Sequence, residues 1–379
     1  MIHHLPTQRQ SHDTLSLVFT GDIILDVPEP DHWLAGIASA LQAADVTIGH
    51  LEVPHTAHLE EHGTDVPAPG AEPSHLAAIA RAGFDAMTLA GNHIADCGEI
   101  GIVDTIAGLA AQGVAYCGAG RNLAQAREAA ILHTAGRSLA VLSYNCVGPE
   151  SAWATTDRAG CAYLPVATED GSPVAPPKNL LAPTAAAFDI LKTDIQLARR
   201  QANLVVVALH KGIVHTPAVV APYERALAHA AIDSGADIVV SHHAHIVRGI
   251  EFYRGKPIFH GLGNGCVVTH ALSPNQSHPA RAEWARRRKL LFGFEPDPAF
   301  TLAPFHPEAV NAFLAKVLWD KSGKLEVGII PVQVEAPGRP RLATSVEAQR
   351  IADYVQSISS RAGLGERRFQ PRDDMMVVS

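Results

Sequence analysis

The sequence contains no run of about 18 apolar residues, so no membrane-spanning helix is expected. The residues before the first predicted strand also lack a basic flank followed by a long apolar stretch, which is the pattern of a secretory signal peptide. From these two absences we expect a protein that has no membrane partner and works in the cytoplasm.

Paired cysteines and an excess of basic residues are missing as well. The five cysteines are odd in number and scattered, which suits neither a disulfide framework nor a CxxC zinc site. Such a set fits a reducing compartment, in agreement with the cytoplasm. The formal net charge of −8 predicts no broad basic surface, so nucleic acid is not an expected partner.

The chain is instead rich in apolar residues and in histidine. Its 379 residues, 47% of them hydrophobic, can bury a large core, and the length suits an elaborated α/β domain with a small appendage. Histidine occurs 21 times. Because a single histidine is most often solvated or packed in a core, the positions of these residues along the predicted elements must decide their role.

Short β-branched runs alternate with helical patterns through the first two thirds of the chain. Strands are predicted at 15–20, 45–49, 84–90, 204–210 and 237–243, and helices at 34–44, 74–83, 101–113, 184–201 and 222–234. Ser74 is a plausible N-cap of its helix, and Gly83 ends it. Strands that alternate with helices of this length indicate βαβ units and a mostly parallel sheet.

Other segments interrupt this alternation. Antiparallel strands are predicted at 129–135 and 138–145, at 249–264 with a turn at Arg254 and Gly255, and at 311–335. Residues 148–183 show no period and are predicted to form a long loop near the site. An amphipathic helix is predicted at 345–363, followed by a loose polar tail from residue 364. We therefore expect an α/β domain over residues 1–270 and a small α+β extension over 271–379 that packs on it.

Polar side chains cluster where the predicted strands end. The candidates are Asp22, Glu52, Asn92 with His93, His210, His243 with His245, and His260. In an open α/β sheet the ligand crevice lies at the carboxyl ends of the strands, so residues distant in sequence converge there. His243 and His245 share a face if their segment is extended, because alternate side chains point the same way.

The residue types in this cluster predict a metal site. Carboxylate, amide oxygen and imidazole together favour Mn, Fe or Zn over Ca or Mg. Such ions lower the pKa of bound water and produce hydroxide at neutral pH. Each piece alone has an ordinary alternative: a Gly-Asp pair is often a turn, Asn92 could cap a helix, and His210 could simply end a strand. The combination of all of them at strand ends favours the metal site.

Several motifs resemble those of the CapA-type poly-γ-glutamate capsule-synthesis family, a branch of the calcineurin-like metallophosphoesterase superfamily. The similarity covers roughly residues 15–270. The matching motifs are GDIIL (21–25), HLEVP (50–54), LAGNHIADCG (89–98), YCGAGRN (116–122), ALHKG (208–212) and SGADIVVSHHAHIVRGIEFYRGKPIFHGLGN (234–264). The resemblance implies a metallophosphoesterase-like sandwich of mixed sheets flanked by helices.

The resemblance also implies a role for each matching residue. Asp22 corresponds to the first metal-binding aspartate, and Glu52 to the carboxylate that bridges or joins two metals. Asn92 corresponds to the amide ligand, and His93 beside it to a histidine that contacts the reacting group. Asn264 falls in a glycine-asparagine motif and is expected to line the substrate pocket. The remaining histidine ligands correspond to His210, His243 and His245.

The chain departs from the family pattern in three places. The usual metallophosphoesterase histidine two residues after the first aspartate is Ile24 here, as in the capsule branch, which leaves one metal short of a ligand. Lys211 replaces the tryptophan that the family has after the histidine matching His210, and Val214 replaces a nearby acidic residue. These changes, with the 148–183 loop, predict an altered substrate.

Weaker candidates have two interpretations each. Asp96 could orient His93 as a catalytic partner, or it could be an acid favourable to a helix N-terminus. His260 could face the pocket or merely end a strand, and Lys211 could bind an anionic substrate group or be a solvated lysine. The basic run at 286–289 is expected to be a solvated or partner-facing helix rather than an active-site clamp.

Together these observations predict a metal-dependent hydrolase with one or two Mn, Fe or Zn ions, using a metal-activated hydroxide on a small soluble substrate. The superfamily suggests a phosphoester, whereas the amide-linked polymer of the capsule branch suggests an amide bond. The alternative is a non-catalytic accessory protein of capsule polymer synthesis that keeps the metal to stabilise the fold. A homo-oligomer is compatible with the sequence.

Overall fold

The computed structural model describes residues 2–4, 13–58, 60, 68–176 and 178–379, with only the backbone for 2–4. Most of the N-terminal segment used above to exclude a signal peptide lies outside these residues. Within the described ranges, no helix combines the length and the apolar character needed to cross a membrane. All five cysteines are buried, and none of them forms a disulfide within the described residues.

The strands and helices follow one another along the chain in the alternation that the sequence predicts. The strands are β1 (Ile2–His4), β2 (Thr14–Leu25), β3 (Val46–Leu51), β4 (Ala86–Thr88), β5 (Ala115–Cys117), β6 (Ala119–Gly120), β7 (Ala130–Thr134), β8 (Arg137–Asn145), β9 (Gly160–Cys161), β10 (Val166–Thr168), β11 (Leu180–Pro183), β12 (Leu204–His210), β13 (Ile238–His242), β14 (Ile250–Tyr253), β15 (Lys256–Phe259), β16 (Asn264–Val268), β17 (Asn311–Asp320), β18 (Leu325–Glu335), β19 (Arg339–Leu342), β20 (Phe369–Arg372) and β21 (Met375–Val378). The helices are α1 (Pro30–Ala43), α2 (Leu76–Ala82), α3 (Gly98–Ala111), α4 (Leu123–Ala126), α5 (Ala185–Arg199), α6 (Pro222–Asp233), α7 (Pro279–Phe292) and α8 (Ser345–Arg361), with 3-10 turns at Pro73–His75, Glu150–Ala152 and Pro307–Val310.

Two mixed sheets organise the described residues. The first has the strand order β1-β7-β8-β12-β13-β15-β14, and its central pairs from β8 to β15 are parallel. The second has the order β20-β21-β18-β17-β2-β3-β4-β5, with β16 also paired to β2 and β19 to β18. Parallel pairing of β2, β3, β4 and β5 places the carboxyl ends of these strands along one edge.

The two sheets pack face to face, with helices on both outer sides. Apolar side chains from β2 and β3 meet those from β8, β12 and β13 in one core. A second core lies between the other face of the second sheet and helices α1 to α3, and a third between the first sheet and helices α5 and α6. The result is the α/β sandwich of mixed sheets flanked by helices that the sequence predicts.

Local features of the sequence explain why several of these elements form where they do. Every residue of β3, β12 and β13 is buried, as is typical of parallel strands covered on both faces. The hairpin β14–β15 turns at Arg254 and Gly255, whose φ angles are 51° and 75°, as the sequence predicts. Helix α8 begins with a capping box in which Thr344 and Glu347 satisfy each other's backbone N–H groups.

Three expectations about local structure are wrong. The tail after residue 364 is not loose, because β20 and β21 form a hairpin hydrogen-bonded to β18. Ser74 lies inside a 3-10 turn, and His75 precedes α2 instead. The 148–183 segment contains the strands β9, β10 and β11 and is not one structureless loop.

The last third of the chain is joined to the second sheet by hydrogen bonds. Strand β17 pairs antiparallel with β2 from Asp320 and Thr14 to Ala315 and Phe19, and β18 continues the sheet beyond it. The boundary at residue 270 between a domain and an extension stays a prediction.

Candidate metal centre

The six predicted metal ligands meet where the carboxyl ends of the two sheets face each other. Asp22 lies inside β2, just past a register shift, and Glu52 directly follows β3. His210 is the last residue of β12, and His243 follows β13. The second sheet therefore supplies the carboxylates and the first sheet supplies imidazoles, so the site lies between two sheets and not at the edge of one.

One group of side chains consists of Asp22, Glu52 and His245. Their ligand atoms all lie within 4.8 Å of one another. Nε2 of His245 is 3.3 Å from Oε1 of Glu52, and its Nδ1 is 3.5 Å from Oδ2 of Asp22. Both carboxylates are fully buried. Two buried acids this close together require a compensating cation.

The second group consists of Asp22, His50 and His210, whose ligand atoms also lie within 4.8 Å of one another. The ring centroids of His50 and His210 are 4.7 Å apart, and the ring of His243 is 4.9 Å from that of His210. Nδ1 of His50 is held by the hydroxyl of Thr88 at 3.0 Å. Asp22 belongs to both groups and so joins them into one centre.

Asn92 and His210 are linked directly across the two sheets. Oδ1 of Asn92 accepts a hydrogen bond from Nε2 of His210 at 2.7 Å. Because an amide oxygen only accepts, this contact places the imidazole proton on Nε2 and leaves Nδ1 as an electron-pair donor. Gly91 permits this approach, since a Cβ there would lie 3.1 Å from Nε2 of His50 and 3.3 Å from Cε1 of His210.

The backbone around His243 and His245 is held in an unfavourable conformation. Their φ angles are 86° and 51°, in the left-handed region that residues with a Cβ rarely adopt. The backbone N–H of His243 donates to Asp22 at 3.3 Å, and Nδ1 of His245 donates to Oδ1 of Asn264 at 2.9 Å. Strain of this kind persists where the surroundings fix it and is frequent at functional sites.

Close backbone contact also fixes Asp22. Its N–H donates to the carbonyl of Gly263 at 2.9 Å. Gly21 makes room for this contact, because a Cβ at that position would lie 1.9 Å from the same carbonyl oxygen. The glycine-rich segment before Asn264 is therefore a structural support for the first carboxylate.

Burial keeps several imidazoles of the centre neutral, which is the form that binds a metal. Burial, with a smaller effect of neighbouring imidazoles, holds the pKa of His50 and His210 well below the usual range, and that of His243 at about 3. These rings are neutral at pH 7 and keep the electron pair that metal binding requires.

The pKa values of the two carboxylates at the centre are shifted in opposite directions. Burial and the charge of Glu52 raise the pKa of Asp22 well above its ordinary value. Burial would also raise the pKa of Glu52, but the charge of His245 outweighs it and lowers this pKa to about 2. Burial would lower the pKa of His245, but the charges of Glu52 and Asp22 raise it to about 9. The ring is therefore a cation at pH 7 and balances part of the charge of the two carboxylates.

A divalent metal fits the polar atoms that this centre leaves without a hydrogen-bond partner. Among the described residues, the buried side-chain atoms without such a partner include Asp22 Oδ1, both carboxylate oxygens of Glu52, His50 Nε2, His210 Nδ1 and His243 Nδ1. Buried polar atoms are normally satisfied, and leaving so many unsatisfied in one place would be costly. All of them can donate an electron pair, which is the chemistry of a cation site.

His93 lies beside this group and is oriented by Asp96. The carboxylate of Asp96 accepts hydrogen bonds from Nδ1 of His93 at 2.7 Å and from the backbone N–H of Ala68 at 2.7 Å. A carboxylate on Nδ1 directs Nε2 of the same ring away from it. Asp96 precedes α3, so the helix-terminus interpretation and the orienting interpretation are both compatible with its position.

A cleft of about 840 Å³ opens above the centre. Its walls include His93, His243 and His245, together with Val214 and residues 178–180 of the 148–183 segment. Val214 and part of the 148–183 segment, two of the three features predicted to set the substrate, therefore line the cleft. Phe305 stacks on His245, with ring centroids 4.9 Å apart, and so joins the cleft wall to the centre.

Two predicted substrate-binding residues lie elsewhere. Lys211 and His260 are both fully buried, and Nζ of Lys211 donates to Glu224 at 3.0 Å. His260 is bonded through Nε2 to Glu251 at 2.9 Å. Along an extended backbone successive side chains point to opposite faces, so the lysine after His210 is directed away from the cleft. Asn264 contacts His245 at the centre but is not among the described residues that line this cleft, so it does not line the substrate pocket as predicted.

The sequence analysis did not single out His50 or the buried acid Glu224. His50 lies two residues before Glu52, and alternate positions of a strand share a face, so that spacing could have identified it. Nothing in the sequence around Glu224 distinguishes it from a surface residue of an amphipathic helix. Its bond to Arg248 at 2.6 Å depends on the packing of α6 against the first sheet.

Comparison with known proteins agrees with the motifs. The family model of the bacterial capsule synthesis protein PGA_cap matches residues 16–267. The capsule biosynthesis protein CapA of Bacillus anthracis is 28% identical over 272 residues, which are 68% of this chain and 61% of that protein. A protein of Mycobacterium tuberculosis, named as a probable polyglutamine synthesis accessory protein, is 32% identical over 248 residues, 63% of this chain and 61% of its own length. The match therefore spans about six tenths of the length of these curated relatives.

Among solved structures, a calcineurin-like phosphoesterase of Bacillus subtilis aligns with a TM-score of 0.36 and 12% identity, covering 92% of this chain and 97% of that one.

Proposed function

The chain belongs to the bacterial capsule synthesis protein family PGA_cap, as its motifs predict, and we propose that it is a metal-dependent hydrolase of a small substrate with a phosphoester or amide bond. The observation that carries this proposal is the set of buried, unpartnered electron-pair donors beneath an open cleft. A metal that only stabilised the fold would not need a cleft that leads to its ligands, because structural metal sites are closed.

The residues divide the work between holding the metal and acting on the substrate. Asp22, Glu52, Asn92 and the imidazoles would hold one or two divalent transition metals. When bound, such a metal supplies a Lewis acid and lowers the pKa of water. His93 faces the cleft with its Nδ1 bonded to Asp96, so its Nε2 can hold or deliver a proton at the reacting group. This division applies to phosphoesters and amides alike, since both develop negative charge on oxygen.

The proposal predicts a metal-containing protein whose activity depends on that metal. Protein purified without chelator should contain at least one Mn, Fe or Zn per chain by elemental analysis. It should hydrolyse at least one member of a panel of phosphoesters and amides, and chelation should remove both the activity and part of the thermal stability. Protein without any transition metal would exclude the proposal.

His93→Ala is expected to keep the metal and lower the maximal rate by roughly 10²–10⁴-fold, the usual contribution of a positioned acid or base. Asp96→Asn should give a smaller loss, because it changes only how the ring is oriented. Metal content and turnover of both variants are measured together. Loss of metal from His93→Ala would place this histidine among the ligands and contradict its assignment.

A second function is favoured by a specific observation, namely that the mycobacterial relative is named as a probable accessory protein of polyglutamine synthesis. In that case the metal would stabilise the fold of a polymer-synthesis component without turnover. The same experiment separates the two: metal retained, stability lost on chelation and no hydrolysis across the panel would favour the accessory role.

A further inference from the structure

Helix α7 forms one wall of the cleft above the metal centre. Its residues Trp284, Arg287, Leu291 and Phe292 line the cleft together with His93, His243 and His245. The helix is held there by aromatic contacts, because Phe292 packs edge-on against His215 with ring centroids 4.9 Å apart. Arg286, Arg287 and Lys289 are exposed, as expected for a solvated basic helix, and the helix also forms part of the cleft wall.

The four consecutive cations of α7 have different surroundings. Arg286 pairs with Glu283 at 3.3 Å, and Lys289 pairs with Glu295 at 2.8 Å, both on the exposed side. Arg288 is buried, donates to the carbonyl of Leu272 and stacks over a tryptophan ring. These three cations are therefore engaged with other groups of the protein.

Arg287 differs from its three neighbours. Across residues 13–58, 60, 68–176 and 178–379 its guanidinium group has no hydrogen bond or ion pair. It is exposed and lines the cleft. Lys178, the other lysine or arginine among the described residues of the cleft wall, is paired with Asp170 at 2.9 Å. A guanidinium without a partner, facing a cleft, offers a planar two-pronged donor to an oxyanion.

The rest of the wall near α7 is largely apolar or aromatic. Side chains from several other segments contribute to it: Ile24, Leu180, Ile213, Leu272 and Phe305. A cleft of this volume with apolar walls and a few convergent polar groups is typical of a small-molecule site. The wall would bind an apolar or aromatic part of a ligand, while Arg287 would bind a charged part.

We infer that the substrate carries an oxyanionic group, a carboxylate or a phosphate, attached to an apolar part and separate from the bond that is broken, and that Arg287 binds this group. The inference rests on the proposed function for the bond at the metal centre. It assigns the specificity to α7, in place of Lys211, whose buried ion pair keeps it out of the cleft.

Titration calorimetry of the full chain loaded with metal tests this inference with matched probes. Hippurate (N-benzoylglycine) has an aromatic ring, an amide and a carboxylate, and N-benzoylglycinamide is its neutral counterpart. Phenyl phosphate and phenol form the corresponding phosphate pair. The variant is Arg287→Gln, and the control is Arg286→Gln, which removes an equal charge from the adjacent position on the outer side of the same helix.

The wild type should bind at least one anionic probe roughly tenfold more tightly than its neutral counterpart, as a charge-assisted hydrogen bond predicts. Arg287→Gln should remove most of this preference, and Arg286→Gln should retain it. The probe pair whose preference for the anion depends on Arg287 shows whether the oxyanion is a carboxylate or a phosphate.

Three results would overturn the inference: no preference for either anion, a preference unchanged in Arg287→Gln, or an equal loss in Arg286→Gln. A preference that is unchanged in Arg287→Gln would assign anion binding to the metal itself. Because the titration measures binding and not turnover, it stays informative if the hydrolase proposal fails. A protein with the preference but no activity would refute only the hydrolase.

Discussion

Replacing His210 with alanine is expected to remove the bound metal and with it all measurable turnover. His210 is almost fully buried, its Nδ1 has no partner within the described part of the chain, and its Nε2 is fixed by Asn92 at 2.7 Å. The loss of metal affinity in this variant should exceed the roughly 10- to 100-fold loss that follows removal of a group that only orients a ligand. Asn92 would lose its partner as well, so the effect spreads across both sheets.

The matched control is His32→Ala, which removes an exposed histidine of α1. Metal content, turnover and unfolding are measured for both variants in the same buffer. His32→Ala should be indistinguishable from the wild type in metal and rate. If His210→Ala kept wild-type metal and rate, the ligand assignment would be wrong.

Replacing Glu224 with glutamine is expected to cost about 3–5 kcal/mol of unfolding free energy, the loss typical of breaking a buried ion pair. Glu224 is the shared anion of two fully buried cations. It accepts hydrogen bonds from Lys211 at 3.0 Å and from Arg248 at 2.6 and 3.2 Å, and it also accepts from the backbone N–H of Ala221 at the start of α6. Without its charge, Lys211 and Arg248 stay buried without the carboxylate that pairs with both of them.

Two comparison variants make the prediction specific. Lys211→Met should cost less than Glu224→Gln, because the pair of Glu224 and Arg248 survives it. Glu283→Gln removes an exposed partner of Arg286 and should change the free energy by no more than about 0.5 kcal/mol. Urea unfolding of metal-loaded protein gives all three values. A Glu224→Gln variant as stable as Glu283→Gln would show that the network does not stabilise the fold.

The same network predicts a loss of stability in acid. Burial alone would raise the pKa of Glu224, but Lys211 and Arg248 outweigh it and lower the pKa from 4.5 to about 2. A carboxylate with a lowered pKa in the folded protein stabilises it fully above the unfolded pKa, and this contribution is lost as the pH falls toward the folded value. The unfolding free energy of the wild type should therefore fall more steeply than that of Glu224→Gln between pH 4.5 and 2.

Much of the centre could be predicted because its residues obey local rules. Glu52, His210 and His243 follow or end strands whose β-branched composition marks them clearly, and parallel strands bring their carboxyl ends to one edge. His243 and His245 were expected to share a face on an extended segment, but both have positive φ angles, so the expected backbone was wrong although both residues lie at the centre. The same rule of alternation, applied to His50 and Glu52, would have added the histidine that the analysis overlooked.

Positions that depend on distant packing were beyond this reasoning. Local alternation turns the side chain of Lys211 away from the cleft, but its burial against Glu224 depends on the packing of α6 on the first sheet. The basic run of α7 is exposed at Arg286, Arg287 and Lys289, as its sequence suggests, but the place of Arg287 on the cleft wall depends on tertiary contacts such as that between Phe292 and His215. The final hairpin, β20 and β21, gains its order from pairing with β18.

The sequence by itself determined the family, the alternation of strands and helices, and the chemical types of the ligands, because these depend on residue identity and on spacing within single elements. The tertiary structure alone decided that the carboxylates and imidazoles come from two facing sheets, that Lys211 is buried in an ion network, and that α7 brings Arg287 to the cleft. Each of these depends on which faces pack together, and packing is a property of residues far apart in the chain.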